Sequence, residues 1–254
     1  TSLLGPILGV GILIVVVSVM NGIPRELEKK LISYNAHITI SGDSSLDDVP
    51  KLLSYIDQKY SYKSSPVTLG PVLIESKRGD SEVLVAKGII PEKDKDVSKL
   101  KDMLTPGTEE SYFIKPNEVI ISKNIKDLLR LKVGDEVVLH SPEKYKNQLN
   151  GSQPEGDPIS AAKFKVAAIF STGVPDIDKN FMIVHYQAAN SLMMLKKDQA
   201  TQIELALEEP EKAEAIAKQL QFDSKLKHMN ITPWQQQHNV KHLYSWVNDQ
   251  KAMM

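Results

Sequence analysis

Residues 37–76 read HITISGDSSLDDVPKLLSYIDQKYSYKSSPVTLGPVLIES. His37 to Ser41 alternates polar and apolar side chains at the two-residue period of a strand. Leu46 to Tyr60 carries Leu52, Leu53 and Ile56 at helical spacing, and Val67 to Ser76 returns to strand periodicity through Val72 and Ile74. The stretch therefore predicts a β-α-β unit. A similar unit closes the chain: Gln202 to Leu207 alternates as a strand, Glu211 to Leu220 is helical from just after Pro210, and a short segment sits near Ile231. Two such units, far apart in sequence, are expected to join in one α+β subdomain.

Between them the strand signals dominate, at Ser81 to Ile90, Glu118 to Ile121, Glu136 to His140, Lys163 to Phe170 and Phe181 to Val184. Only short helices interrupt them, Lys123 to Leu131 ending near Gly134-Asp135, and Tyr186 to Leu195. The expectation is a β-dominated subdomain inserted into the first. Within it, residues 141–162 hold Pro142, Gly151, Pro154, Gly156 and Pro158, too many breakers for a central strand and too long for an ordinary connection. That loop reads either as a surface excursion or as a protruding, proline-stiffened arm that binds a partner.

Outward from this core the ends have a different character. Leu3 to Met20 runs without a charge, and the first charged residue is Arg25. At helical rise such a run covers about 27 Å, close to the hydrocarbon thickness of a bilayer, whereas a signal peptide has a shorter apolar stretch and a basic start. A membrane helix is expected, and Gly5, Pro6, Gly9 and Gly11 suit close packing against other membrane helices. His238 to Met254 reads as an amphipathic helix through Val240, Leu243, Tyr244 and Val247, without a stop signal, so a second span is expected to follow it. Trp234, Tyr244 and Trp246 read equally as headgroup-level anchors or as core.

Composition removes several classes of function. With 31 Lys and Arg against 32 Asp and Glu there is no basic field for nucleic acid, and without cysteine there is no disulfide, thiolate chemistry or Cys-ligated zinc. No phosphate-binding Gly-x-x-x-x-Gly-Lys-Ser/Thr loop, Gly-x-Ser-x-Gly elbow or His-Glu-x-x-His motif occurs. His238 and His242 would share a helix face but lack a third ligand at motif spacing, so no metal is expected. Asp47-Asp48, Glu109-Glu110 and the mixed-charge run from Glu92 to Lys101 read as solvated surface. The chain is not expected to be an enzyme or to carry a cofactor of its own.

Val17-Ser18-Val19-Met20-Asn21-Gly22, then Arg25-Glu26-Leu27 and His37-Ile38-Thr39-Ile40, resembles the first-helix signature of the lipoprotein-releasing (Lol) permeases of ABC transporters. Asn117 to Val138, with Leu128, Leu131, Val133-Gly134-Asp135 and Val137, is similar to a segment of the wider MacB/FtsX-like permease family. Phe170-Ser171-Thr172-Gly173, Asp178 and Phe181 to Leu195 again resemble the Lol pattern.

The resemblance implies an α+β fold in which a membrane helix precedes a periplasmic domain with a porter-like β-α-β part and an inserted β-rich part. The expected divisions are 1–22 for the membrane helix, 23–90 and 201–233 for the two halves of the porter-like part, 91–200 for the β-rich part with its loop 141–162, and 234–254 for a helix leading toward a second span. It implies a location in the bacterial inner membrane, with the main domain in the periplasm. The implied function is a permease that extracts lipoproteins from the inner membrane and hands them to a periplasmic carrier. Its implied partners are a cytoplasmic ATPase subunit, a second permease copy or companion permease, the carrier and the lipoprotein; the alternatives are MacB-type efflux and FtsX-like regulation of cell-wall hydrolases.

Some permeases of the family recruit the carrier through a hook with a Pro-x-Gly motif, a further Pro and a basic residue before the returning strand. Pro154, Gly156, Pro158 and Lys163 occupy comparable places. Around them Tyr145, Leu149 and Ile159 are expected as apolar anchors, and Lys144, Lys146 and Lys163 as steering charges. Gly9, Gly11, Val15, Val19 and Met20 are expected to line the lipoprotein's path through a cleft between helices.

Overall fold

The computed structural model describes residues 7–13, 15, 35–142 and 162–237. β1 (Ile38–Leu46), α1 (Val49–Tyr60) and β2 (Lys63–Ser76) form the predicted opening unit, and β8 (Ala200–Ala206), α6 (Ala213–Gln221) and β9 (Asn230–Pro233) form the closing one. β8 lies between β1 and β2, antiparallel to both, and β9 flanks β1 on the outside. This is a split β-α-β sheet, with Ile38 opposite Leu205 and Ile40 opposite Ile203 on its apolar face. Val49, Leu53 and Ile56 of α1 and Ala213, Ala217 and Leu220 of α6 recur at one helical stripe, and all join the same core as that face. The opposite face is polar, with Glu204 opposite Thr39 and Ser65, and Gln202 opposite Ser41.

Between β2 and β8 the chain builds a closed ring. β3 (Ser81–Ile89), β4 (Glu118–Ser122), β5 (Glu136–His140), β6 (Ala162–Phe170) and β7 (Phe181–His185) pair in the order β3-β7-β4-β6-β5-β2, and β2 pairs back onto β3. Closure removes the free edges of these strands. Val72, Leu84, Val119, Val137, Phe164 and Met182 fill one core, while Ile120, Phe170 and Ile183 on the other face join the larger core with Leu100, Leu104 and Tyr112. Burial on both faces is why Val119-Ile120-Ile121 and Met182-Ile183-Val184 are unbroken apolar runs.

Several boundaries differ from those predicted. β2 starts at Lys63 and continues through Pro66, because its first stretch ladders with β8 and its second, from Thr68, with β3. β3 thus lies in the ring, among the intervening strands where its periodicity put it, and not in the first half of the porter-like part, where the division at residue 90 implied by the resemblance put it. α3 (Lys123–Leu128) and α5 (Tyr186–Leu192) are shorter than expected, and Arg130 and Met194 just beyond them take left-handed backbone that ends a helix. Two short helices, α2 (Pro91–Asp94) and α4 (Pro175–Asn180), start at prolines and carry too few residues for a visible period. Gly134, at φ 95°, supplies the left-handed position ahead of β5 in Val133-Gly134-Asp135.

Candidate functional site

The segment read as an arm connects two adjacent antiparallel strands. β5 and β6 run side by side with Glu136 opposite Lys165, Val138 opposite Lys163 and Leu139 opposite Ala162. Its two ends therefore leave the ring from neighbouring strands, about 5 Å apart by the spacing of a β-ladder. The base is firmly seated. Ser141 is buried and its hydroxyl donates to the carbonyl of Leu192 in α5. His140 Nε2 meets Glu75 Oε2 of β2 at 2.9 Å, and Lys77 bonds Glu136 at 2.9 Å, holding that carboxyl below its usual range.

Of the residues predicted to grip a carrier, Lys163 is exposed on β6 at the foot of this hairpin. Lys144, Tyr145, Lys146, Leu149, Pro154, Gly156, Pro158 and Ile159 lie outside the described residues. Of the predicted lipoprotein path, Gly9 and Gly11 belong to the helical residues 7–13, Val15 is helical too, and Val19 and Met20 lie outside the described residues. Apart from their chain neighbours and the backbone of their own helix, no described atom stands within 4 Å of where a Cβ would sit on Gly9 or Gly11, and Ile7, Leu8, Val10, Ile12, Leu13 and Val15 are all more than half exposed. Among the described residues no helix is long and apolar enough to cross a membrane. No group of three potential metal ligands occurs among them either.

The split sheet meets the ring at a second built feature. A cavity of about 310 Å³ lies between the polar face of the sheet, with Thr39, Ser41, Gln202 and Glu204, and Lys87 and Phe181 of the ring. Inside it Lys87 Nζ bonds Glu204 Oε2 at 2.9 Å, with both side chains more than nine-tenths buried. The sequence reading passed over both, although each is a lone charge in an apolar stretch, Val85-Ala86-Lys87-Gly88-Ile89 and Ile203-Glu204-Leu205. A buried charge within a strand signals a partner across the fold.

Trp234 resolves to core. It is 1% exposed, and its indole N–H donates to the carbonyl of Pro210 at 3.0 Å. Tyr244, Trp246, His238 and His242 lie outside the described residues. The Glu92 to Lys101 run is not wholly solvated: Asp94 is fully buried and accepts hydrogen bonds from Ser98 and from Tyr112.

The profile of the MacB-like periplasmic core domain matches residues 1–221. The chain belongs to that family. The sequence of this MacB-like domain is also 26% identical over 216 residues to the lipoprotein-releasing system transmembrane protein LolC of Neisseria meningitidis serogroup B, covering 85% of this chain and 50% of that protein. It is 25% identical over 221 residues to the lipoprotein-releasing system transmembrane protein LolE of Haemophilus influenzae, covering 82% of this chain and 50% of that protein. The chain thus spans about half the length of these curated relatives. The extracellular domain of the noncanonic ABC-type transporter YknZ from Gram-positive bacteria superposes with a TM-score of 0.50 at 11% identity, over 78% of this chain and all of that one, a likeness of fold alone.

Proposed function

We propose that this domain belongs to a permease subunit of an ABC transporter that extracts lipoproteins from the inner membrane and hands them to a periplasmic carrier. The observation that carries the reading is similarity to proteins named for lipoprotein release over most of this chain. The relatives are about twice as long as the matched region; on this reading the remaining membrane helices belong to that further length, and the ATPase subunit and the companion permease or second copy are separate chains. The split sheet acts as the porter-like part next to the membrane, since residues 35 and 237, where the described domain joins the flanking segments, both sit beside it. The ring acts as the β-rich part that carries the arm, from the ends of β5 and β6.

Physical chemistry sets what each part must do. Each buried CH₂ of an acyl chain is worth about 0.8 kcal/mol, so extraction requires an apolar route and work from ATP hydrolysis. The exposed apolar side chains of Ile7, Leu8, Val10, Ile12, Leu13 and Val15 suit burial in lipid or against other membrane helices, with Gly9, Gly11, Val15, Val19 and Met20 on the route. A proline-rich arm on a rigid hairpin loses little entropy on capture of a partner, which favours binding through Tyr145, Leu149 and Ile159 with Lys144, Lys146 and Lys163 steering.

Replacing Lys146 to Pro158 by a short Gly-Ser link tests the assignment. The circular dichroism spectrum is expected to stay unchanged, because the ladder from Glu136 to Leu139 is untouched, and pull-down of the lipoprotein carrier is expected to be lost. A folded variant that binds the carrier with unchanged affinity would sink the arm assignment.

A further inference from the structure

We infer that the buried Lys87–Glu204 pair is a latch that locks the ring onto the split sheet, so that the two move as one body. The argument begins at β2, the strand that both share. Ser65 of β2 stands opposite Glu204 of β8, and Leu69 of β2 stands opposite Lys87 of β3. These two places on β2 are of the same parity and so on the same face of the strand, about 13 Å apart along it. Between them β2 changes partner, leaving β8 at Val67 and joining β3 at Thr68. The ion pair bridges that fork, joining side chains 117 residues apart.

The fork has its own reinforcement. The Thr201 hydroxyl donates to the carbonyl of Val67 at 3.1 Å and accepts from the amide of Leu69 at 2.8 Å, standing in for the ladder where the strands part. The chain crosses back from the ring to the sheet between α5 and β8. There Asn190 accepts from Thr68 at 2.5 Å and donates to the carbonyls of Lys196 and Gln199. Besides these crossings, ring and sheet share the apolar core that holds Ile38, Ile203, Ile120 and Ile183, but apolar contact is non-directional and does not by itself fix the angle between them. A charged contact displaced from the crossings resists rotation, because any movement that separates the charges parts a buried ion pair inside the protein. Gln202 donates to the second carboxylate oxygen of Glu204 at 2.9 Å and fixes its orientation.

A buried ion pair characteristically adds little net stability over an apolar pair of similar size while demanding one geometry. Its contribution here is directional, and it holds whatever cargo the transporter moves. The chain contains no cysteine, so spin labels are placed by Glu214→Cys on α6 and Lys132→Cys between α3 and β5, both exposed, in the full chain. Double electron–electron resonance then reads the distance between sheet and ring. The parent is expected to give one narrow distribution. The pair Lys87→Met with Glu204→Leu is expected to melt within a few degrees of the parent yet at least about double the width of that distribution. Glu204→Gln, which keeps the shape and loses the charge, is the second variant should the double one fail to fold, and it is expected to broaden the distribution as well. A parent distribution as broad as that of the variants, or a folded variant as narrow as the parent, would overturn the latch.

Discussion

His37 shows how one side chain carries both structure and pH dependence. It lies at the start of β1, where its carbonyl accepts from the Trp234 amide and its Nδ1 accepts from the Leu207 amide at 2.7 Å. Burial holds its pKa below the ordinary 6.5. The fold therefore favours neutral imidazole, and the stability this contributes is complete above 6.5 and declines as pH falls toward the lowered folded value. Thermal melts at about pH 7.5 and 5.5 are expected to show a drop in melting temperature that is smaller in His37→Gln. His185 is lowered by burial too, so a residual drop of the same sign is expected. Equal drops in parent and variant would remove His37 as a contributor.

Asp223 acts in the carboxylate range. Burial raises its pKa, but bonds from Lys59 at 2.5 Å, Tyr60 at 2.6 Å, the Lys225 amide and Tyr55 outweigh burial and hold it well below the usual range. Its stabilisation is present above the unfolded value of about 4 and is lost as pH falls through the folded one. Asp223→Asn is expected to lower the melting temperature at neutral pH and flatten the acid limb of the melting curve against pH. A variant as steep as the parent below pH ~4 contradicts this. Neither role was legible in the sequence, where His37 read as the first residue of a strand and nothing singled out Asp223. Burial and partners distant in sequence make the difference.

At the scale of elements, local period and apolar content located β1, α1, β3 to β8 and α6, because each buries a face or a stripe that repeats along it. The first turns of β2 escaped that reading because Ser64, Ser65 and Pro66 resemble a loop. Only pairing with β8 makes them strand. The docking of α5 was equally hidden, since it rests on two glycines in strands. A Cβ on Gly88 would overlap the Cβ of Ala189, whereas a Cβ on Gly70 would meet the flexible end of Met193. Gly88→Ala is therefore expected to cost about 1–3 kcal/mol and Gly70→Ala less, as read from denaturant midpoints. The reverse ranking would contradict the packing of α5 on β2 and β3.

At the scale of the whole molecule, the sequence pointed to an α+β domain, and the family match and the structure agree on it. Closure of the six strands was not legible, because each strand looks the same whether its ladder ends at an edge or returns to β2. The arm was legible only as a proline-rich interruption between β5 and β6, and the joint held by Lys87 and Glu204 not at all. In the proposed account the domain faces the periplasm, so cysteine introduced at Lys132 is expected to react with a membrane-impermeant thiol reagent in intact spheroplasts. Labelling only after lysis contradicts that orientation. The central claim, that the arm grips a soluble lipoprotein carrier, is tested most directly by a photo-crosslinking amino acid at Tyr145 in the full-length permease in cells. The account predicts that light joins it to the periplasmic lipoprotein carrier, identified by mass spectrometry, and that the adduct is lost when Lys146 to Pro158 are deleted; a crosslink to an efflux adaptor or a cell-wall hydrolase in its place would contradict it.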